Sequence, residues 1–423
     1  MKNSKIRETI LRTTFFLGPT GIFFAPLPGI GSLRAFYFST ALINILCLFR
    51  TSKRSLPHFT LLFFIFILLF GSASYSLIGI TDDIPIHANP VIRVLVICNL
   101  AFGFYNISQW IISSESTDIT EKLLRDSFKG FCAVFFLGLV IYIGYIANKI
   151  PYSTYSLFTT LDQSAYGYSR FSPGTYPNEF GIICSFYAIY ALSITLNKNN
   201  PFYLTLSVIF IAGVFLTSTR AAYITLLLSY IYLTFSSKSP SRKLLFAILP
   251  AILTPVVIQT LSYLSFDVMA VITTGYESAA KGTGSSNVRL EDWNTAIDDL
   301  LEHLFWGVGI ESPKAYSLHN LPLQILYGLG IAGTLILSIA TAAFIHINIK
   351  ITWNIRKCTK EIQKLTTTAR TILLIHVVVF GLTNHNQAHF FTWMLFALSC
   401  IKLRSTEVCV QRFSPNSTSL RLA

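Results

Sequence analysis

Apolar residues run through this chain in blocks of the length that a membrane-spanning helix needs, and short polar segments separate the blocks. A helix crosses a bilayer with about 20 mostly apolar residues. Blocks of that kind lie near 10–27, 31–49, 59–80, 90–112, 128–148, 179–197, 202–218, 221–236, 244–262, 320–346, 371–385 and 388–402. The pattern predicts an all-α polytopic membrane protein of about twelve transmembrane helices, one integral membrane domain over 1–423. The first block follows the basic start M-K-N-S-K-I-R-E-T-I-L-R. No small-x-small cleavage site closes it and a second block follows almost at once, so it reads as a helix rather than a cleaved signal peptide.

Two polar stretches are long, 149–178 and 263–319. The first is rich in Tyr, Ser and Thr. The second opens with the Gly/Ser-rich T-T-G-Y-E-S-A-A-K-G-T-G-S-S-N, which has linker chemistry. Its later part has helical period. Leu290, Trp293, Ala296, Ile297, Leu300, Leu301, Leu304 and Phe305 recur at three- and four-residue steps, with Glu291, Asp292, Asp298, Asp299 and Glu302 opposite. This predicts an amphipathic surface helix near 289–305, capped by Asn287, stopped by Gly307 and Gly309, and lying apolar face down over the membrane domain.

Composition agrees with the pattern. Only 12% of residues are charged and 52% are hydrophobic, against about 25% charged in soluble domains. The net charge of +13 sits in short clusters between apolar blocks, which argues for positive-inside topology and against a nucleic-acid partner. With the N-terminus inside, three quarters of the 32 Lys and Arg residues fall on the cytoplasmic side, so both termini are expected inside and both long polar stretches outside. Arg34, Arg93, Arg170, Arg220 and Arg289 are then outer arginines that topology does not require. The seven cysteines form no C-x-x-C pair and none lies in a long outer loop, so neither a disulfide framework nor a metal site is indicated.

Arg220 sits in L-T-S-T-R-A-A-Y between two blocks that are short for spans, with no Asp or Glu in either. It either meets an anionic ligand or remote partner, or snorkels to lipid phosphates. Arg289 opens the surface helix; its fork grips phosphate in pairs, or it pairs locally with Glu291 or Asp292. His319 and Asn320 precede a span with Pro322 in its first turn, which is helix-start chemistry beside an anion-receptive end. His319 has a side chain that moves protons near neutral pH, or is a border residue only. Arg170 and Asn178, at the end of the first outer loop, and Asn320 are read as further substrate contacts. His385 and His389 are expected on an outer polar rim or in contact with substrate. The loop tyrosines Tyr152, Tyr155, Tyr166, Tyr168 and Tyr176 stack on sugar rings or belong to the interfacial belt. The apolar blocks carry no carboxylate in their interiors, which disfavours an ion-coupled transporter.

Several of these segments together resemble one family. T-S-T-R-A-A, N-V-R-L-E-D-W-N-T-A, W-G-V-G and the spacing H-N-x9-G-x-x-G (His319, Asn320, Gly330, Gly333) are similar to the O-antigen ligase and polymerase superfamily. S-P-G-T-Y-P-N-E-F-G at 172–181 resembles its P-N element, so the likeness spans 172–333. The resemblance implies a multi-pass protein of the bacterial inner membrane with its active site facing the periplasm. It implies a metal- and cofactor-independent glycosyltransferase that takes a glycan from undecaprenyl pyrophosphate. The acceptor would be lipid A–core for a ligase or a lipid-linked repeat unit for a polymerase, with membrane lipids around the site. Arg220 and Arg289 would bind the pyrophosphate and His319 would act as base or phosphate ligand. The H-N-x9-G-x-x-G match points to the ligase, and the short loop before His319 keeps the polymerase open. A lipid-linked sugar transporter or a structural subunit of a glycan-assembly complex are the readings from other classes.

Overall fold

A computed structural model describes residues 2–19, 35–48, 56–78, 89–113, 119–158, 170–198, 200–236, 285–316, 318–355, 361–384 and 389–398, with the single positions 255 and 259. Helices form the regular structure of these residues. In chain order they are α1 (Lys2–Leu17), α2 (Ala35–Leu48), α3 (Leu56–Tyr75), α4 (Pro90–Ser113), α5 (Ile119–Ile146), α6 (Tyr152–Tyr155), α7 (Pro177–Lys198), α8 (Pro201–Thr217) and α9 (Arg220–Ser236). Then come α10 (Ser285–Leu300), α11 (Pro313–Tyr316), α12 (Leu321–Ile355) and α13 (Glu361–Thr383), followed by α14 (390–398).

Four of these are long and apolar enough to cross a membrane, over Pro90–Ile111, Ile119–Ile146, Pro177–Lys198 and Leu321–Ile339, and Ala35–Cys47, Ile65–Tyr75, Pro201–Thr217 and Thr367–Thr383 are shorter apolar helices. The expected span at 244–262 lies outside the described residues but for two positions. The expected first span, 10–27, is different in the structure: α1 starts at Lys2 and ends at Leu17. Its Arg12 Nε donates to Asp126 Oδ2 at 2.6 Å, which anchors α1 along the start of α5.

The bundle is organised around α7. Nearly every residue of it from Pro177 to Ile194 is buried, in keeping with its mostly apolar sequence after Glu179. It packs against α8, α9 and α13. Its rings interleave with those of α5 and α8, with Phe131 stacked on Tyr187 at 4.5 Å and edge-on to Phe210 at 4.9 Å. Helix starts use Asn caps and Pro: Asn200 Oδ1 accepts from Phe202 N at 3.0 Å ahead of α8, and Asn89 Oδ1 accepts from Val91 N at 3.0 Å ahead of α4. The end of α7 meets the start of α5 through Lys198 and Glu121, 3.4 Å apart. Arg170, the start of α7 and the α8–α9 turn form the other end of the bundle, called here the site end.

The surface helix begins at Ser285, so Asn287 lies inside its first turn, and it gives way at Leu300 to a run of turns over 301–306. A separate small core holds it down: Ala296, Ala315, Leu318 and Tyr327 are buried together, with Trp293 and Leu300 against them.

Candidate functional site

The T-S-T-R and P-N-E segments, 40 residues apart in sequence, fold into one polar knot. Ser218 ends α8 in the left-handed region (φ 52°), and this reversal lets α9 start two residues later with Arg220 as its first residue. Arg170 fastens the reversal. Its Nε donates to Thr217 O at 2.6 Å, and its Nη2 donates to Thr219 Oγ1 and Asn178 Oδ1, both at 2.9 Å. Thr219 Oγ1 in turn donates to Pro177 O at 3.0 Å. Arg170 and Asn178 therefore stand behind Arg220 and hold its turn, while Arg220 itself is exposed at the site end.

Arg289 comes from α10. Trp293 Nε1 donates to Leu318 O at 2.7 Å, which lays the first turns of α10 over the segment that carries His319. His319 adopts the left-handed region (φ 49°), a conformation uncommon outside Gly that recurs where side-chain aim matters. Asn320 caps α12 as its sequence suggests: its Oδ1 accepts from Leu323 N at 3.0 Å, and its Nδ2 donates to Leu382 O at 3.2 Å, tying the mouth of α12 to the end of α13.

Arg289 lies between the other two residues electrostatically. Burial, and then the charge of Arg220, hold the Arg289 guanidinium below its usual range. Burial, and then the charge of Arg289, hold the His319 imidazole below its usual range, against a smaller opposing pull from Asp292. Three residues separated by up to 99 positions thus share one electrostatic field. Two guanidinium groups close enough to repel are costly to keep together, and an anion between them reverses that cost.

The glycines of W-G-V-G and G-x-x-G belong to one seat. Val308 N donates to Tyr327 O at 2.9 Å, Gly309 N to Gly328 O at 3.0 Å and Ile331 N to Leu304 O at 2.9 Å. The turn after α10 lies backbone to backbone on α12, which breaks its helix at Gly330 (φ 63°, ψ −171°). A Cβ at Gly330 would meet Phe305 C and O at 2.4 Å.

Residues 205–338 match the family model described as O-antigen ligase. The match covers about a third of the chain and supports its likeness to the O-antigen ligase and polymerase superfamily. No curated protein matches the chain. The matched segment holds Arg220, Arg289, His319 and the glycine seat, whereas Arg170 and Asn178, which brace Arg220, precede it.

The structure also adds residues that no sequence motif marks. Glu311 is buried in the left-handed region (φ 61°). It accepts from Gln324 Nε2 at 3.2 Å and lies 3.7 Å from Arg93 Nη1. Burial raises its carboxyl to about 7 against the pull of Arg93 and Gln324. Arg93 thus has a protein carboxylate opposite it.

His389 corrects the expectation of an outer polar rim. It is 3% exposed, and its Nε2 lies 3.2 Å from Glu179 Oε1. Its Nδ1 accepts from Phe391 N at 3.3 Å. Thr175 Oγ1 donates to the other oxygen of Glu179. A buried carboxylate needs such donors, and this one welds α7 to the last described helix. His385 lies outside the described residues. Asp299, Glu302 and His303 bring ligand atoms within 4.8 Å of one another, but Asp299 already accepts from Tyr327 at 2.5 Å and pairs with Lys314 at 3.4 Å.

Proposed function

We propose that this chain is a membrane glycosyltransferase of the bacterial inner membrane. It moves an O-antigen-type glycan from undecaprenyl pyrophosphate to lipid A–core at the periplasmic face. What supports this reading is the electrostatic coupling of Arg289 to Arg220 on one side and to His319 on the other.

An acceptor hydroxyl attacks the anomeric carbon and the bond from that carbon to the pyrophosphate oxygen breaks. The leaving group keeps the electron pair. Its charge develops where Arg220 and Arg289 already stand, which is the arrangement that lowers such a barrier most. Since these two groups supply the positive charge, the step requires neither metal nor cofactor. The acceptor's proton passes to His319, whose neutral form is favoured by burial and by Arg289. Arg170, Asn178 and Asn320 act by holding the elements that carry Arg220 and His319.

The same chemistry serves a repeat-unit polymerase, and the short stretch before His319 keeps that second reading open. Deletion of the gene followed by glycolipid gel analysis separates them. Unattached polymer on the carrier lipid supports the ligase, and a core bearing a single repeat unit supports the polymerase. An unchanged glycolipid profile sinks both.

A further inference from the structure

The surface helix α10 is three-sided rather than two-sided. Successive helical residues turn by about 100°, and the exposures fall into three stripes at intervals of about that angle. Trp293, Ala296 and Leu300 form the docked stripe, packed on Leu318 and Tyr327. Glu291, Asp298 and Glu302 form an exposed charged stripe. Between them, Leu290 and Ile297 form an exposed apolar stripe, which the turn extends with Leu301, Phe305 and Trp306. Leu301 is 77% exposed, Phe305 67% and Trp306 74%. A row of large apolar side chains is not left in water beside a charged row that satisfies water already.

We propose that this stripe and turn are immersed among the acyl chains of the bilayer leaflet at the site end, so that α10 lies along the line where protein, lipid and water meet. Continuity identifies the occupant. Ile331 N donates to Leu304 O, which sets Phe305 and Trp306 level with the point where the lower part of α12 begins. From there Ile331, Leu335, Ile336 and Ile339 are exposed on a helix apolar enough to span. The hydrocarbon that covers these four extends without a break onto Trp306. The W-G-V-G seat makes the immersion tolerable, because Val308, Gly309 and Ile331 give their N–H groups to carbonyls of the facing segment instead of to lipid. Arg289, next to Leu290, is then fixed at headgroup depth. A lipid-borne phosphate reaches it without leaving the leaflet.

The test uses the full chain in nanodiscs of phosphatidylcholine brominated on its acyl chains. The chain has five tryptophans, so the difference in emission between the protein and Trp306→Phe isolates Trp306. The expected result is loss of that difference signal in brominated nanodiscs and its survival in aqueous iodide. Quenching by iodide and not by bromine puts the turn in water. Quenching by neither puts it under protein, a second copy or a partner. Either result overturns the proposal. If Trp306→Phe does not fold, Leu301→Cys and Glu291→Cys give the same reading: a water-soluble maleimide modifies Glu291→Cys and spares Leu301→Cys. Equal modification of both overturns it.

Discussion

The indole N–H of Trp293 donates to the carbonyl of Leu318, 2.7 Å away, and through that one bond the helix that carries Arg289 is fastened to the residue that precedes His319. The two groups belong to different elements, with the W-G-V-G turn and α11 between them in sequence. Replacing Trp293 by Phe keeps most of the ring packing in the small core and removes the donor. A bond of this kind is worth about 0.5–1.5 kcal/mol. Trp293→Phe should insert at normal levels and transfer glycan several-fold more slowly. A rate equal to the parent's would show that α10 is held by its apolar contacts alone.

The electrostatic pairing of Arg220 and Arg289 makes a stronger demand. If both face one pyrophosphate, removing either loses a donor aimed at developing charge, which costs about 10²–10³-fold in rate. Arg220→Ala and Arg289→Lys should both fall by about that factor, the second because a lysine cannot grip phosphate oxygens in pairs. Glycan transfer in a deletion strain, with membrane levels checked by immunoblot, reads the outcome. Full transfer by both variants would remove the site from this part of the molecule.

Sequence made part of this site legible and hid the rest for a definable reason. Local signals read well. Asn320 caps its helix as its position before Leu321 and Pro322 implies, and the three- and four-residue spacing from Leu290 marked α10, although the helix starts and stops about five residues early. Pairings across the fold did not show. Glu179 and His389 meet at 3.2 Å from opposite halves of the chain, and Arg93 meets Glu311 across α4 and the turn region. Periodicity reports which face of one element is apolar. It carries no information about which element supplies the partner. The apolar blocks carry no carboxylate in their interiors, but Glu179 stands at the first position of one of them, where periodicity gives no sign that it is buried.

His319 offers a pH test with a defined sign. Burial and Arg289 hold its imidazole below the ordinary value of 6.5, and Asp292 opposes them. A general base must be neutral, so transfer should hold steady as pH falls from neutrality to that ordinary value and decline only below it. Asp292→Asn removes the opposing pull and should move the acid limb to still lower pH. A pH–rate profile in membrane vesicles decides this. An acid limb that moves upward in the variant would exclude His319 as the titrating base.

Glu311 titrates in the other direction. Its carboxyl goes from 4.5 to about 7 on burial, so the folded state holds that proton more tightly than the unfolded chain does. Its contribution to stability is present in full below pH 4.5 and falls as pH rises through about 7. Glu311→Gln should flatten this dependence. Thermal unfolding of the detergent-purified protein on either side of neutrality compares the two. Parallel curves for parent and variant would mean that Glu311 does not set the pH response.

Gly330 carries the most local prediction. Its φ of 63° and ψ of −171° lie in a region nearly confined to glycine, where another residue costs on the order of 1–3 kcal/mol. A Cβ there also meets the backbone of Phe305 at 2.4 Å and Gly307 N at 2.7 Å. Backbone cannot swing aside as a side-chain tip can, so Gly330→Ala must push the turn off α12. That would break the bonds from Val308, Gly309 and Ile331 and leave their polar groups without partners at an apolar surface. Gly71→Ala is the matched control, because nothing lies within 4 Å of a Cβ there. Gly330→Ala should lose protease resistance in the 301–312 segment and lose transfer, while Gly71→Ala should keep both. If Gly330→Ala retained both, the seat would be an accident of packing and would have no part in holding Arg289 and His319 together.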